Sequence, residues 1–222
     1  MMLIYVLDTS AITDPRLRSI FNVKTLDSVV YELTRLLTKA RVVLGAQFYI
    51  TPSTGSELRG FLERNGVSED NINLLFSILI VKSPDLYATH IPARVMSNWI
   101  QEVHLRFYKG LRVAEEMVRQ TAMKAYEDGK IGSREKLSED IAGAIHELRA
   151  KYREATRKGV IDTQVDFDSV ILAKELGAVL VTNDEGIQKM CEDLGVKYIE
   201  PPRFISQLMV LLRERVPRRP GT

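Results

Sequence analysis

The feature that most constrains this chain is an alternation of short apolar runs with longer stretches of helical spacing. The run LIYVLD at 3–8 is apolar without a polar alternation, as a strand buried on both faces requires. Beyond Asp27, an expected N-cap, Val29, Val30, Leu33, Leu36 and Leu37 recur at helical spacing. A second strand is expected at 48–51, ended by Pro52. Thr54 and Glu57 then have capping-box spacing ahead of Leu58, Phe61 and Leu62. Residues 68–83 supply a capped apolar helix that runs into Leu79, Ile80, Val81 and Lys82. The pattern resumes at 166 with a helix through Leu176, a strand at 178–182, a helix at 184–194 and a strand at 197–199. A last helix is expected after Pro201 and Pro202, carrying Phe204, Leu208, Leu211 and Leu212. Repeated strand–helix units with apolar strands predict an α/β fold, a parallel sheet flanked by helices.

The interruption between these two blocks is itself informative. From about 91 to 128, Met96, Ile100, Val103, Phe107, Leu111, Ala114, Val118, Ala122 and Ala125 form a nearly heptad-like stripe. Residues 128–133 read as a turn, and Leu137, Ile141, Ile145, Leu148 and Tyr152 continue as a second stripe. This predicts an antiparallel two-helix hairpin inserted into one α/β domain. The expected boundaries are 1–85 and 158–214 for the domain, 86–157 for the hairpin and 215–222 for a basic tail.

Composition narrows the chemistry. The 222 residues contain one cysteine, Cys191, so there is no intrachain disulfide and no zinc site of the usual cysteine spacing. A reducing, cytoplasmic setting is expected. No apolar run approaches the length of a membrane span, and no basic leader precedes the first apolar residues. The net charge of +2 is too small to argue for or against a nucleic-acid partner; the distribution of charge matters more. There is no GxGxxG after a strand, no GxxxxGKS and no GxSxG. His90, His104 and His146 fall in or near the insertion, away from the acids.

In a parallel α/β sheet, ligands bind outside the carboxyl ends of the strands, and acids gather there. Asp8 closes the first strand, Asp184 follows the strand ending at Thr182, and Asp162, Asp166 and Asp168 open the helix between. Glu57 lies one turn into another helix. Each has a plainer reading. Asp166, Asp168 and Asp184 suit helix caps or first turns, and Glu57 suits the far end of a capping box. Asp8 has no capping duty unless a helix begins at Ala11. Adjacent strands would bring the acids together, and several carboxylates at one sheet edge repel one another by several kcal/mol without a counterion. Oxygen ligands without His or Cys favour Mg²⁺ or Mn²⁺, and phosphodiester hydrolysis is the chemistry such an ion suits.

Leu7 to Ala11 (LDTSA), the acid on the second helix, the AspXAspXXXLeuAlaLysGluLeuGly run at 166–177 and Val181 to Asp184 (VTND) together resemble the PIN-domain nucleases. The likeness covers roughly 1–83 and 160–210. The long insertion and the Asp162/Asp166 pair resemble, more narrowly, the HARP family of protein-only ribonuclease P, also known as RNA ligase partner proteins. The resemblance implies a three-layer α/β/α PIN-like fold with the inserted hairpin as a spike. It also implies Mg²⁺-dependent removal of the 5′ leader from precursor tRNA, and large homo-oligomers in which the spike serves assembly and tRNA recognition. By resemblance, Asp8, Asp162, Asp166 and Asp184 are the catalytic metal ligands, with Glu57 and Asp168 as lesser candidates. Thr9, Ser10, Thr182 and Asn183 are placed to orient carboxylates or bind phosphate, although turn and strand-end roles suit them too.

Arg149, Lys151, Arg153, Arg157 and Lys158 make a basic end to the second hairpin helix and the better candidate RNA surface. Arg106, Lys109, Arg112 and Arg119 on the first helix are interleaved with acids and read as a solvated, salt-bridged face. Trp99 and Phe107 suit core or subunit packing better than base stacking, and exposed apolar positions on a lone hairpin would favour self-association. Two other functions compete with a tRNA-processing nuclease. One is a toxin-like or ribosomal-RNA-processing PIN nuclease; the other is a non-catalytic partner of an RNA ligase.

Overall fold

Parallel strands need a crossover between them, and helices supply the crossovers in this chain. The computed structural model describes residues 3–127, 134–157 and 163–215. β1 (Ile4–Leu7) leads through α1 (Ser10–Thr13) and α2 (Leu17–Phe21) to α3 (Leu26–Leu44), β2 (Gln47–Ile50), α4 (Pro52–Arg64), α5 (Glu69–Ile78) and β3 (Ile80–Val81). Next come α6 (Ala93–Glu127) and α7 (Arg134–Arg157), then α8 (Gln164–Leu176), β4 (Val179–Val181), α9 (Glu185–Leu194), β5 (Lys197–Ile199) and α10 (Pro201–Arg215). The chain divides into two compact units, Met1–His90 with Gly159–Thr222, and Ile91–Lys158.

In the first unit, the sheet has the order β3-β2-β1-β4-β5, and every pairing is parallel. β1 is central, with Tyr5 opposite both Phe48 and Val179, and its Tyr5, Val6 and Leu7 are buried. The chain lays strands outward from β1 to β3, then returns to add β4 on the other side. That reversal puts a topological switch point between β1 and β4, where the loops leaving the two strands diverge and open a crevice. Below it, the rings of Tyr5, Phe48 and Phe204 pack at centroid separations of 4.9–6.2 Å and join α10 to the sheet.

Two expected helix starts are corrected. The cap of α3 is Thr25, whose Oγ1 accepts from Ser28 N at 3.1 Å. Asp27 is claimed instead by α5, accepting from Ser68 N, Ser68 Oγ and Asn71 Nδ2, each at 2.9 Å. Likewise α4 is capped by Thr51 with Pro52 as its first residue, three positions before the expected capping box. Glu57 therefore sits beyond the first turn, exposed, and has no capping role.

In the second unit α6 and α7 pack against each other, but along a different line from the expected stripe. Gly110 and Met117 are buried on α6, whereas Ile100, Phe107, Leu111 and Val118 are 53–69 % exposed. The seam runs through Gly110 because only a residue without Cβ fits there: an added Cβ would lie 2.5 Å from the Tyr152 ring. Arg106 reinforces the seam, donating from Nη1 to Thr156 O at 2.7 Å and pairing with Glu102 at 3.0 Å. The expected turn at 128–133 lies outside the described residues. Among the described residues no helix is long and apolar enough to cross a membrane.

Candidate active site

Asp8 follows the central strand, at the switch point, and is only 8 % exposed. Its backbone N–H still donates to Val181 O at 3.2 Å, so the residue continues the β1–β4 ladder. Its Oδ2 accepts from Ser10 N, Ser10 Oγ and Thr182 Oγ1 at 3.3, 2.8 and 3.1 Å. A helix does begin here, α1 at Ser10, so one of these bonds serves a helix end as well. Each hydroxyl that donates to Asp8 also accepts from the turn after β4. Asn183 N donates to Ser10 Oγ and Asp184 N to Thr182 Oγ1, both at 3.1 Å. One carboxylate oxygen is thus fixed by three donors, and Oδ1 has no hydrogen bond to any described residue.

The other acids are divided between helix ends and open positions. Asp184 caps α9, its Oδ1 accepting from Gly186 N and Ile187 N at 2.8 and 2.9 Å. Asp166 lies in the first turn of α8, whose cap is Thr163; the Thr163 hydroxyl accepts from Asp166 N at 3.2 Å and donates to Asp166 Oδ2 at 2.6 Å. Asp168 lies beyond both the cap and the first turn, so neither helix-end reading holds for it. Its Oδ1 is buried without a hydrogen-bond partner among the described residues, and burial pushes the carboxyl above the usual aspartate range. Thr9 Oγ1 is buried in the same condition. Asp162 lies outside the described residues. Among the described residues no three His, Cys, Asp or Glu side chains stand close enough together to hold a metal, so the expected convergence is not seen within that set.

Two groups of polar residues at this edge carry weak sequence signals. Asp14 is 3 % exposed at the end of α1, and Arg16 folds back on it, with Nη2 2.6 Å from Oδ2. Arg16 reaches Glu200, after β5, at 3.0 Å, and Asn183 Nδ2 donates to Asp14 Oδ2 at 3.2 Å. Burial opposes ionisation of Asp14, but the bonds from the Arg16 side chain and backbone, with Asn183, hold its carboxyl below the usual range. The only local hint is the Asp-Pro-Arg turn, and nothing near it in sequence announces Glu200. The second group is a buried hydroxyl chain, Thr51 to Thr54 at 2.8 Å and Thr54 to Ser169 at 3.1 Å, which ties the start of α4 to α8. Cys191 is no nucleophile, because burial, and then Glu192, push its thiol up to about 12.

In the second unit Arg149 and Arg153 are exposed, and Arg153 Nε donates to Arg149 O at 3.1 Å. Lys151 pairs with Glu147 at 2.7 Å and borders a cavity of about 440 Å³ shared with Arg112, Glu115, Glu116 and Arg119. The side chain of Arg157 and all of Lys158 lie outside the described residues.

Comparison with known proteins adds an independent finding. A family described as PINc domain ribonuclease matches residues 4–213. A protein of Staphylothermus marinus named RNA-free ribonuclease P is 61% identical over 218 residues, covering 98% of this chain and 100% of the relative. Proteins of the same name from Hyperthermus butylicus and Ignicoccus hospitalis are 42% and 45% identical, covering 95% and 93% of this chain and 89% and 95% of their own. Among solved structures, a PilT N-terminus domain protein of Sulfolobus solfataricus P2 covers 99% of both chains at 14% identity and a TM-score of 0.35. With an all-parallel sheet whose central strand ends in a thrice-anchored aspartate, and with full-length relatives of one name, the chain belongs to the PINc-domain ribonucleases and, within them, to the RNA-free ribonuclease P family.

Proposed function

We propose that this chain is an RNA-free ribonuclease P that removes the 5′ leader of precursor tRNA with a divalent metal ion, Mg²⁺ by preference. The observation that carries this reading is the 61% identity, over 98% of this chain and 100% of the relative, to a protein named for that activity. Asp8, Asp162, Asp166 and Asp184 would hold the ion, with Asp168 and Glu57 as further candidates. The fit of a cation rests on two oxygens that have no hydrogen bond among the described residues: Asp8 Oδ1, and the buried Asp168 Oδ1. A buried carboxylate oxygen lacking a donor is costly, and a hard cation is the partner that relieves it.

When bound, such an ion lowers the pKa of a coordinated water and neutralises charge on a phosphate. The chain's own residues would do the positioning. Ser10 and Thr182 hold Asp8 Oδ2, so its free oxygen faces one direction, while Thr163 steers Asp166 through the 2.6 Å bond to Oδ2. Asp184 spends Oδ1 on the α9 N-terminus, leaving its second oxygen for the ion. By family resemblance the products are a leader with a 3′-hydroxyl and a tRNA with a 5′-phosphate.

Arg149, Lys151 and Arg153, with Arg157 and Lys158, would bind backbone phosphates. The Glu147 pairing of Lys151 is no obstacle, because an ion pair this exposed is weak and a phosphate can replace it. The exposed α6 stripe supports assembly into homo-oligomers. The test is purified protein with labelled precursor tRNA, in Mg²⁺ and in EDTA, beside Asp8→Ala and Asp166→Ala. Cleavage at the mature 5′ end by the wild type alone, and only with metal, is expected. Equal cleavage by the variants would remove the site assignment, and no cut at that end would remove the ribonuclease P reading.

A further inference from the structure

We propose that Asp14 is a positioning residue, fixing the turn that carries Asn183 and Asp184 and so acting on the cutting site without touching substrate; this rests on the ribonuclease reading above. Asp14 is outside the acid set and its side chain is 1 % exposed. Both of its oxygens are committed. Oδ1 accepts from Arg16 N at 2.9 Å and Nε at 3.0 Å; Oδ2 accepts from Arg16 Nε at 3.0 Å, Nη2 at 2.6 Å and Asn183 Nδ2 at 3.2 Å. A carboxylate accepts and cannot donate, so the Asn183 amide must turn its NH₂ towards Asp14.

Asn183 is thereby held at two points. Its backbone N–H rests on Ser10 Oγ, which donates to Asp8, and its side chain rests on Asp14. One point alone would leave the turn free to rotate; two set the direction of its neighbours, Thr182 on Asp8 and Asp184 on α9. Arg16 carries the brace further, because Nη1 donates to Glu200 Oε2 at 3.0 Å. The brace therefore runs across the exits of β1, β4 and β5, which are successive strands of the sheet. If closing the α1 turn were the only task, a buried carboxylate would be an expensive way to do it, since a packed apolar side chain closes a turn without desolvating a charge.

The test uses the full chain as wild type, Asp14→Asn, Asn183→Ala and the double variant. Three quantities are measured: Mn²⁺ affinity by calorimetry, single-turnover cleavage of precursor tRNA with its half-saturating enzyme concentration, and melting temperature. Each single change is expected to slow cleavage about tenfold and weaken Mn²⁺ by a similar factor, as for groups that orient metal ligands. Half-saturation should move less than about twofold, and the double variant should be no slower than the slower single, because the two residues share one bond. Multiplying rate losses, or rate losses that follow melting temperature with Mn²⁺ affinity unchanged, would overturn the proposal. Asn183 is exposed, so Asn183→Ala decides alone if Asp14→Asn does not fold: unchanged rate and affinity refute the brace. If the wild type leaves precursor tRNA intact, the ribonuclease P reading fails separately. The Mn²⁺ arm still tests Asp14, and unchanged affinity in the variants then overturns the role.

Discussion

Tyr5, Phe48 and Phe204 are at most 2 % exposed, while Ile100, Phe107 and Val118 are at least 60 % exposed, although both sets come from apolar patterns of comparable strength. In the α/β unit helices pack on the central strands β1 and β4, so their apolar residues are covered by the chain itself. In the hairpin two helices offer each other one seam. Positions off that seam stay open, whatever their hydrophobicity. Apolar periodicity therefore reports that a surface is meant to be covered; it does not report whether this chain or another does the covering.

The largest loss of stability is expected at the ring cluster of the first unit. Phe204→Ala should cost about 3–5 kcal/mol in urea unfolding, the usual range for a buried aromatic. A loss no greater than that of an exposed position would mean the first unit is not self-contained. Next comes the hairpin seam. Gly110→Ala drives a Cβ into Tyr152 and should cost about 1–3 kcal/mol, read as lost helical signal on heating. A neutral outcome would show that α6 and α7 do not meet there.

A smaller, pH-dependent effect separates the acids of the first unit. The Asp14 carboxyl is held below its unfolded value, so its contribution is complete above the usual aspartate range and is lost as pH falls through the lowered value. Asp168 is the reverse: its pKa is raised by burial, so its ionised form is a cost above that range, relieved on protonation. Urea unfolding across acid pH should show Asp14→Asn lacking part of the wild-type loss. Without added metal, Asp168→Asn should be slightly more stable than wild type at neutral pH. Destabilisation by Asp168→Asn at neutral pH would mean its oxygen has a partner in the folded protein.

The smallest effect on stability belongs to the open stripe. Phe107→Ser with Val118→Ser should change unfolding by no more than about 0.5 kcal/mol per site, as exposed positions do. The same pair should lower the particle mass in light scattering if that stripe joins subunits. An unchanged mass would place the assembly surface elsewhere.

Much of the first unit is legible in local pattern. The strands at 4–7, 47–50, 179–181 and 197–199 fall within or one residue beside their apolar runs, and α10 buries Phe204, Leu208 and Leu212 on one face. Caps are less legible, because Thr25 and Asp27 both suit the start of α3. The choice depends on Ser68 and Asn71, more than 40 residues away, which claim Asp27. The candidate site divides in the same manner. Asp8 is marked by its place at a strand end, but the burial of Asp14 depends on Asn183, and that of its partner Arg16 on Glu200, both brought near by strand order.

By itself, then, the order of residues determined the longer elements, though not the short α1 and α2, together with the parallel sheet and the family motifs, because strand and helix periods and turn chemistry act over a few positions. Tertiary structure alone decided which side of each apolar face is covered, which threonine caps which helix, and that Asp8 shares one oxygen among three donors. Those outcomes depend on groups far apart in the chain competing for the same space or the same proton. Such a competition is settled only when the strands beside β1 are in place.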